Sequence, residues 1–125
     1  LACVTTAHDA CGLNASCPEV LALNFALGKG KGVAVGAQPG SHDLWGVGRR
    51  RIQFSPDEIE RLGVYQVAAA QALAAYAGNR ITYVKTHGAL GNIAAEERSV
   101  ADAVARAVRA VDPNLALLAI ALSAQ

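Results

Sequence analysis

No methionine occurs anywhere in the 125 residues, so the initiator is expected to be missing, by processing or by truncation. Aromatic side chains are scarce at 5%, which argues against a core built on large rings. Alanine supplies much of the apolar content instead, favouring helices and close packing. Charge is scarce too. At 17% charged residues and a formal net charge of +1, nothing favours nucleic acid or an anionic membrane as partner. The longest apolar run, Leu115 to Leu122, is far too short to span a bilayer, and no signal peptide is visible at Leu1. Cys3, Cys11 and Cys17 are odd in number and lack the paired close spacing of a zinc site. Reduced thiols in a cytoplasmic protein are expected.

What remains is a hydrophobic content of 53%, which excludes disorder and suits one domain over residues 1–125. Its chemistry concentrates after the run Ile81-Thr82-Tyr83-Val84, whose β-branched and aromatic residues predict a strand. Lys85 and His87 follow two residues apart, then Gly88 and Gly91. In extended chain, such a pair looks to one side. A solvated strand end and a reactive pair at a strand's carboxyl end both fit these residues alone.

The rest of the chain decides between them. Leu1 to Ala10 reads as a weak strand. A helix is expected from Ser16, with Glu19 at capping-box spacing and Pro18 early, to Gly28. Lys29-Gly30-Lys31-Gly32 reads as a turn; it lacks the spacing of a phosphate loop. Gly32 to Gly36 reads as a short buried strand, and residues 37–54 as a long connection with Arg49-Arg50-Arg51 as a solvated rim. Ser55-Pro56-Asp57-Glu58 predicts a second capping box. Its helix runs to about Ala77, with Ile59, Leu62, Gln66, Ala69, Leu73 and Tyr76 on one stripe. Gln66, an amide among apolar neighbours, requires a partner, and a loop carbonyl is expected. A third long helix starts at Ser99, with Val100, Val104, Val108 and Val111 along one face, and stops at Asp112-Pro113. Leu115 to Leu122 reads as a last strand.

Strands alternating with amphipathic helices predict an α/β fold with a parallel sheet and right-handed crossovers. Polar and glycine-rich clusters follow the strands at residues 9–16, 38–51 and 85–92. Three chemically rich loops on one face favour a barrel-type site and the reactive reading of Lys85 and His87.

Several segments, taken together, carry a resemblance. They are Ala10-Cys11-Gly12, Gly32-Val33-Ala34-Val35-Gly36-Ala37-Gln38-Pro39-Gly40 and Asp43-Leu44-Trp45-Gly46-Val47-Gly48-Arg49-Arg50, then Tyr65-Gln66 and Val84-Lys85-Thr86-His87-Gly88-Ala89-Leu90. This set resembles the A-subunit family of 5-oxoprolinase, also called LamB/YcsF, and Ala101 to Val108 followed by Asp112-Pro113 continues it. The resemblance implies a partial (β/α) barrel of the deacetylase-like (glycoside hydrolase/deacetylase) type, with about half of the domain absent. It also implies ATP-dependent hydrolysis of 5-oxo-L-proline to glutamate with two partner subunits.

Where that family reads Gly-Phe-His-Ala-Gly-Asp, this chain has Gly12-Leu13-Asn14-Ala15-Ser16-Cys17, and where it reads Ala-His-Pro, Ala37-Gln38-Pro39. Two imidazoles have become amides, which neither take a proton near neutrality nor bind a metal well. Lysine-proline-histidine becomes Lys85-Thr86-His87, keeping both reactive side chains. The candidate catalytic residues are therefore Lys85, to stabilise developing negative charge, and His87, to move protons. Asn14, Gln38, Asn92 and Arg49 are the substrate-binding candidates, and the strand ends are expected to gather Asn14, Gln38, Lys85 and His87 around one concavity. No tightly bound transition metal is expected among these residues. His8 and His42 read as solvent-facing histidines, although each offers a nearby imidazole. The alternative is a non-catalytic paralogue or remnant that keeps the fold and a subunit-interaction surface. With both terminal strands open, the chain is expected to self-associate.

Overall fold

The computed structural model describes residue 1 and residues 3–125. In chain order the elements are β1 (Thr6–Ala10), α1 (Pro18–Lys31), β2 (Ala34–Gln38), α2 (Pro56–Tyr76), β3 (Ile81–Val84), α3 (Gly88–Glu96), α4 (Arg98–Val111) and β4 (Ala116–Leu117). The four strands form one parallel sheet in the order β1-β2-β3-β4. Because every strand neighbours the next in sequence, right-handed crossovers place all connecting helices on one side. The main core agrees. It joins Val35, Ala37, Ile81 and Val84 of the sheet to Leu21 and Phe25 of α1, Val67, Ala70 and Ala74 of α2, and Val108 of α4. A singly wound parallel sheet with helices on one face is an arc of a (β/α) barrel.

The other face follows from the register. His8 pairs with Gly36, Gly36 with Tyr83, and Tyr83 with Ala116, while Ala10 pairs with Gln38. Side chains alternate, Val35, Ala37 and Val84 belong to the helix-side core, and a register shift between Val35 and Gly36 brings Tyr83 level with Gly36, so this row stands on the other face. The Lys85 amide donates to the Ala37 carbonyl, carrying the extended backbone one residue past β3.

Element ends differ from expectation for local reasons. Cys17, not Ser16, sits at the start of α1 and makes no side-chain cap, because Ser16 lies one residue further back in a left-handed conformation (φ 70°). Pro18 does open the helix. Gly28 does not end it. A Cβ there would lie 2.5 Å from Val35 Cγ1, so this glycine serves close helix-to-strand packing. The Lys29–Gly32 segment is the last helical turn, closed by Gly32 at φ 65°, whose amide donates to the Gly28 and Lys29 carbonyls. The second strand accordingly starts at Ala34 rather than Gly32.

The capping box of Ser55 and Glu58 is formed on both sides. The buried face of α2 is Ile59, Gly63, Gln66, Val67, Ala70 and Ala74, and Tyr76 is exposed. Small residues set that face because neighbours come close: a Cβ on Gly63 would lie 2.7 Å from the Ala107 Cβ.

Helix α3 departs from expectation, since its two glycines read as loop. Burial of Ala89, Leu90, Ile93 and Ala94 overrides their poor helix propensity. Helix α4 begins at Arg98, one residue before Ser99, and buries Val100, Val104 and Val108 as expected. The last strand is only two residues long. Its partner β3 ends at Val84, whose carbonyl takes the final bond from the Leu118 amide. Leu118, Ile120 and Leu122 are exposed, and the chain turns back so that Ala124 bonds the Ala95 carbonyl.

Candidate active site at the strand ends

The segment from Ala37 to Phe54 forms no helix and only the end of a strand, yet it is densely bonded. Asp43 is its anchor. The carboxylate is buried and accepts from the Gly46 and Arg50 amides and from the Arg50 guanidinium. Asp43 also donates its amide to the Leu13 carbonyl, tying this loop to the one after β1. The guanidinium bond, then the amides, hold the Asp43 carboxyl down at about 2 against the opposing effect of burial.

A depressed carboxyl contributes stability that is complete above its ordinary 3.8 and lost as pH falls through about 2. Thermal unfolding followed from pH 7 to pH 2 should therefore show a Tm decline below pH 3.8. Asp43→Asn is expected to lower Tm at neutral pH and to flatten that acid decline. An unchanged acid limb would show that Asp43 does not govern it.

The folded loop meets the end of β3 through His87. Its amide donates to the Pro39 carbonyl, and its Nε2 lies 2.7 Å from the Val47 carbonyl. A carbonyl only accepts, so Nε2 carries a proton. The Ala89 amide donates to the Gly48 carbonyl. Gly48 at φ 66° and Gly88 at φ 54° make this approach possible. A Cβ on Gly48 would lie 2.8 Å from Asn14 Cβ and 2.9 Å from His87 Cδ2.

The structure divides the six candidate residues. Lys85, Arg49 and Asn92 line one cleft of about 320 Å³, together with Thr86, Gly88, Gly91, Leu118, Ala119 and Ile120. Asn14 is 1% exposed, packed against Gly40 and Gly48, and neither its Oδ1 nor its Nδ2 has a protein partner. It reaches that cleft only through the loop it supports. Gln38 ends β2 opposite Ala10, half-buried, and His87 forms the shared wall between Asn14 and the loop. The concavity that gathers Lys85 thus gathers Arg49 and Asn92 with it, rather than Asn14 or Gln38.

Of the arginine triplet, Arg50 pairs with Asp43 and the exposed Arg51 with Glu96 and Glu97. Gln66 finds the loop backbone expected for it. Oε1 accepts from the Gly40 amide at 3.0 Å, and Nε2 donates to the Gly40 carbonyl at 2.9 Å and to the Leu62 carbonyl at 3.1 Å. Cys11 is buried, and desolvation pushes its thiol up to about 12, so it is no nucleophile. Cys3, Cys11 and Cys17 are all free thiols. No group of three or more His, Cys, Asp or Glu side chains is arranged to hold a metal ion among the described residues, and no helix there is long and apolar enough to cross a membrane.

His8 is exposed, as expected of a solvent-facing histidine, and does not line the cleft of Lys85. His8 stands on the helix-free face, and its Nδ1 lies 3.4 Å from the Tyr83 hydroxyl.

The pattern of the LamB/YcsF family matches residues 1–125. The 5-oxoprolinase A subunit of Azorhizobium caulinodans is 65% identical over 98% of this chain and 48% of its own length. That of Gluconobacter oxydans is 55% identical over 96% and 47%. The crystal structure of the lactam utilization protein from Thermus thermophilus superposes with a TM-score of 0.93 at 40% identity, covering 96% of this chain and 49% of that one. The chain spans about half the length of the relatives it matches. Sequence pattern, parallel sheet and strand-end loops agree, and the chain belongs to the LamB/YcsF family.

Proposed function

We propose that this chain carries part of the site of an ATP-dependent 5-oxoprolinase, the part that holds the lactam. The observation that supports it best is the cleft shared by Arg49, Lys85 and Asn92. 5-Oxoproline is a five-membered lactam with a carboxylate. Arg49 suits the carboxylate, Lys85 the carbonyl oxygen as negative charge develops on it, and Asn92 the ring amide. A cleft of about 320 Å³ lies at the small end of ligand sites and matches a compact substrate. His87 holds the wall that carries Arg49. The ring nitrogen must gain a proton and the attacking water must lose one, which calls for general acid–base catalysis.

The relatives are named as one lettered subunit of 5-oxoprolinase, which supports assembly with other subunits. ATP would be used by that assembly. Lys29-Gly30-Lys31-Gly32 closes a helix and offers no phosphate cradle, while Arg49 and Lys85 supply two cations to the cleft.

Titrating 5-oxo-L-proline into the 15N-labelled protein should move the amide signals of Arg49, Lys85 and Asn92 and leave α1 unmoved. Lys85→Met is expected to lower kcat/KM for 5-oxoproline in the assembled enzyme by about 10²–10³-fold, the size seen when one oxyanion donor is removed. Absence of localised shifts, or a Lys85→Met variant of full activity, would overturn this reading. It would then favour the non-catalytic alternative, which the amides at positions 14 and 38 otherwise support.

A further inference from the structure

The cleft of Lys85 is lined by two unlike kinds of residue. Arg49, Lys85, Thr86 and Asn92 bring polar groups to it, and Gly88 and Gly91 bring bare backbone. Leu118, Ala119 and Ile120, from the chain directly after β4, bring only alkyl side chains. Leu118 and Ile120 are 48% and 46% exposed, so both keep apolar surface that a molecule in the cleft can cover.

This segment lies beyond the sheet, yet it is held. The Leu118 amide donates to the Val84 carbonyl. The Ile120 amide donates to Gln125 Oε1 at 3.1 Å, and the Ser123 hydroxyl donates to the Ile120 carbonyl at 2.7 Å. Both backbone polar groups of Ile120 are therefore bonded, by side chains from beyond a turn that Leu122 takes at φ 59°. The same turn is fixed to α3 by the bond from the Ala124 amide to the Ala95 carbonyl. Gln125 closes the circuit, since its Nε2 donates to Thr86 Oγ1 at 3.1 Å. Thr86 follows Lys85 directly, so hydrogen bonds join the apolar side of the cleft to the segment that carries its lysine.

We infer that Leu118 and Ile120 are the specificity wall of this cleft, selecting a compact ring over an open-chain, doubly charged amino acid. The inference rests on the lactam reading above for its substrate. 5-Oxoproline is polar along one edge, with its carboxylate, carbonyl and ring N–H, and apolar along the other, with two ring methylenes. The polar edge suits Arg49, Lys85 and Asn92, and the methylenes suit the two alkyl side chains. Each methylene fully covered is worth about fourfold in affinity. Glutamate, the product of opening the ring, has more bonds to freeze on binding. It also carries an ammonium and a second carboxylate, whose water alkyl groups strip away without replacing it. The wall thus favours entry of the ring and departure of the opened product.

Protein labelled with 13C in its isoleucine and leucine methyl groups is titrated with 5-oxo-L-proline, cyclopentanecarboxylate and L-glutamate. Both ring compounds should shift the Leu118 and Ile120 methyl signals, and glutamate should bind more weakly than either. Ile120→Ser should lower affinity for both rings by about 4–15-fold, the worth of one to two methylenes, and so narrow the preference over glutamate. Because Ile120 is half open to water, this variant should unfold at the parent's temperature. Leu122→Asn is the control: it removes a fully exposed leucine at a positive φ that asparagine tolerates, and should change neither affinity. Rings that move the Arg49 and Lys85 amides but not these methyls overturn the inference. So does an Ile120→Ser protein that keeps the parent's preference for ring over glutamate. If cyclopentanecarboxylate moves the methyls while 5-oxoproline binds nowhere, the lactam reading fails and the wall stands as a site for a compact apolar ring. If neither ring binds, both fail.

Discussion

Replacing Gln66 with leucine is expected to cost about 3–5 kcal/mol of folding stability, a large part of a domain's margin. The amide is 0% exposed and serves one turn of backbone, since it accepts from the Gly40 amide and donates to the Gly40 carbonyl. Leucine fills similar volume but offers neither bond. Two buried backbone groups would be left unpaired, each at about 1–3 kcal/mol. Gln66→Glu discriminates further. A glutamate reproduces the donor to the Gly40 carbonyl only while protonated, so its penalty should grow as pH rises above about 4.3. Urea unfolding of both variants across pH measures this. A leucine variant within about 0.5 kcal/mol of the parent, a typical exposed-site change, would show that Gly40 finds other partners.

That residue also shows what the sequence reveals and what it hides. An amide on an apolar helical stripe must be satisfied by something, and the loop after β2 is where it is satisfied. Periodicity likewise located β3, the parallel order and the buried valines of α4, because each depends on local pattern and burial. Helix α3 and the two-residue β4 escaped it for opposite reasons. Glycines at positions 88 and 91 lower local helix propensity, and only tertiary burial of Leu90 and Ile93 offsets this. The apolar run from Leu115 has strong strand propensity, but pairing ends where β3 ends. At the site, two-residue spacing found Lys85 but could not tell that Arg49 and Asn92 share its cleft. Nor could it tell that Asn14 is packed away beneath Gly40 and Gly48. Those facts depend on how a densely bonded loop folds. His8 reads in the sequence as a solvent-facing histidine and is exposed, while its contact with Tyr83 depends on the register across Gly36.

The second large effect is expected at Gly88, where the candidate site and the fold share one backbone contact. Its φ of 54° lies in the left-handed region, which costs an alanine about 1–2 kcal/mol. An added Cβ would also sit 2.4 Å from the Gly48 carbonyl oxygen, a backbone atom that cannot swing aside like a side chain. Relief requires moving Gly48, which breaks the 2.9 Å bond from the Ala89 amide and disturbs the turn that orients Arg49. Gly88→Ala should therefore cost about 3–5 kcal/mol in all. In a protein that still folds, it should also weaken 5-oxoproline binding. Gly30→Ala is the matched control. It lies within α1 with nothing within 4 Å of its added Cβ, so higher helix propensity should stabilise the protein by about 0.5–1 kcal/mol. Chemical unfolding reads both changes, and the 15N spectrum reports on Arg49 in the Gly88 variant. A Gly88→Ala protein as stable as the parent would mean that the loop from Asp43 to Arg50 yields readily, and that the cleft wall is not rigidly held.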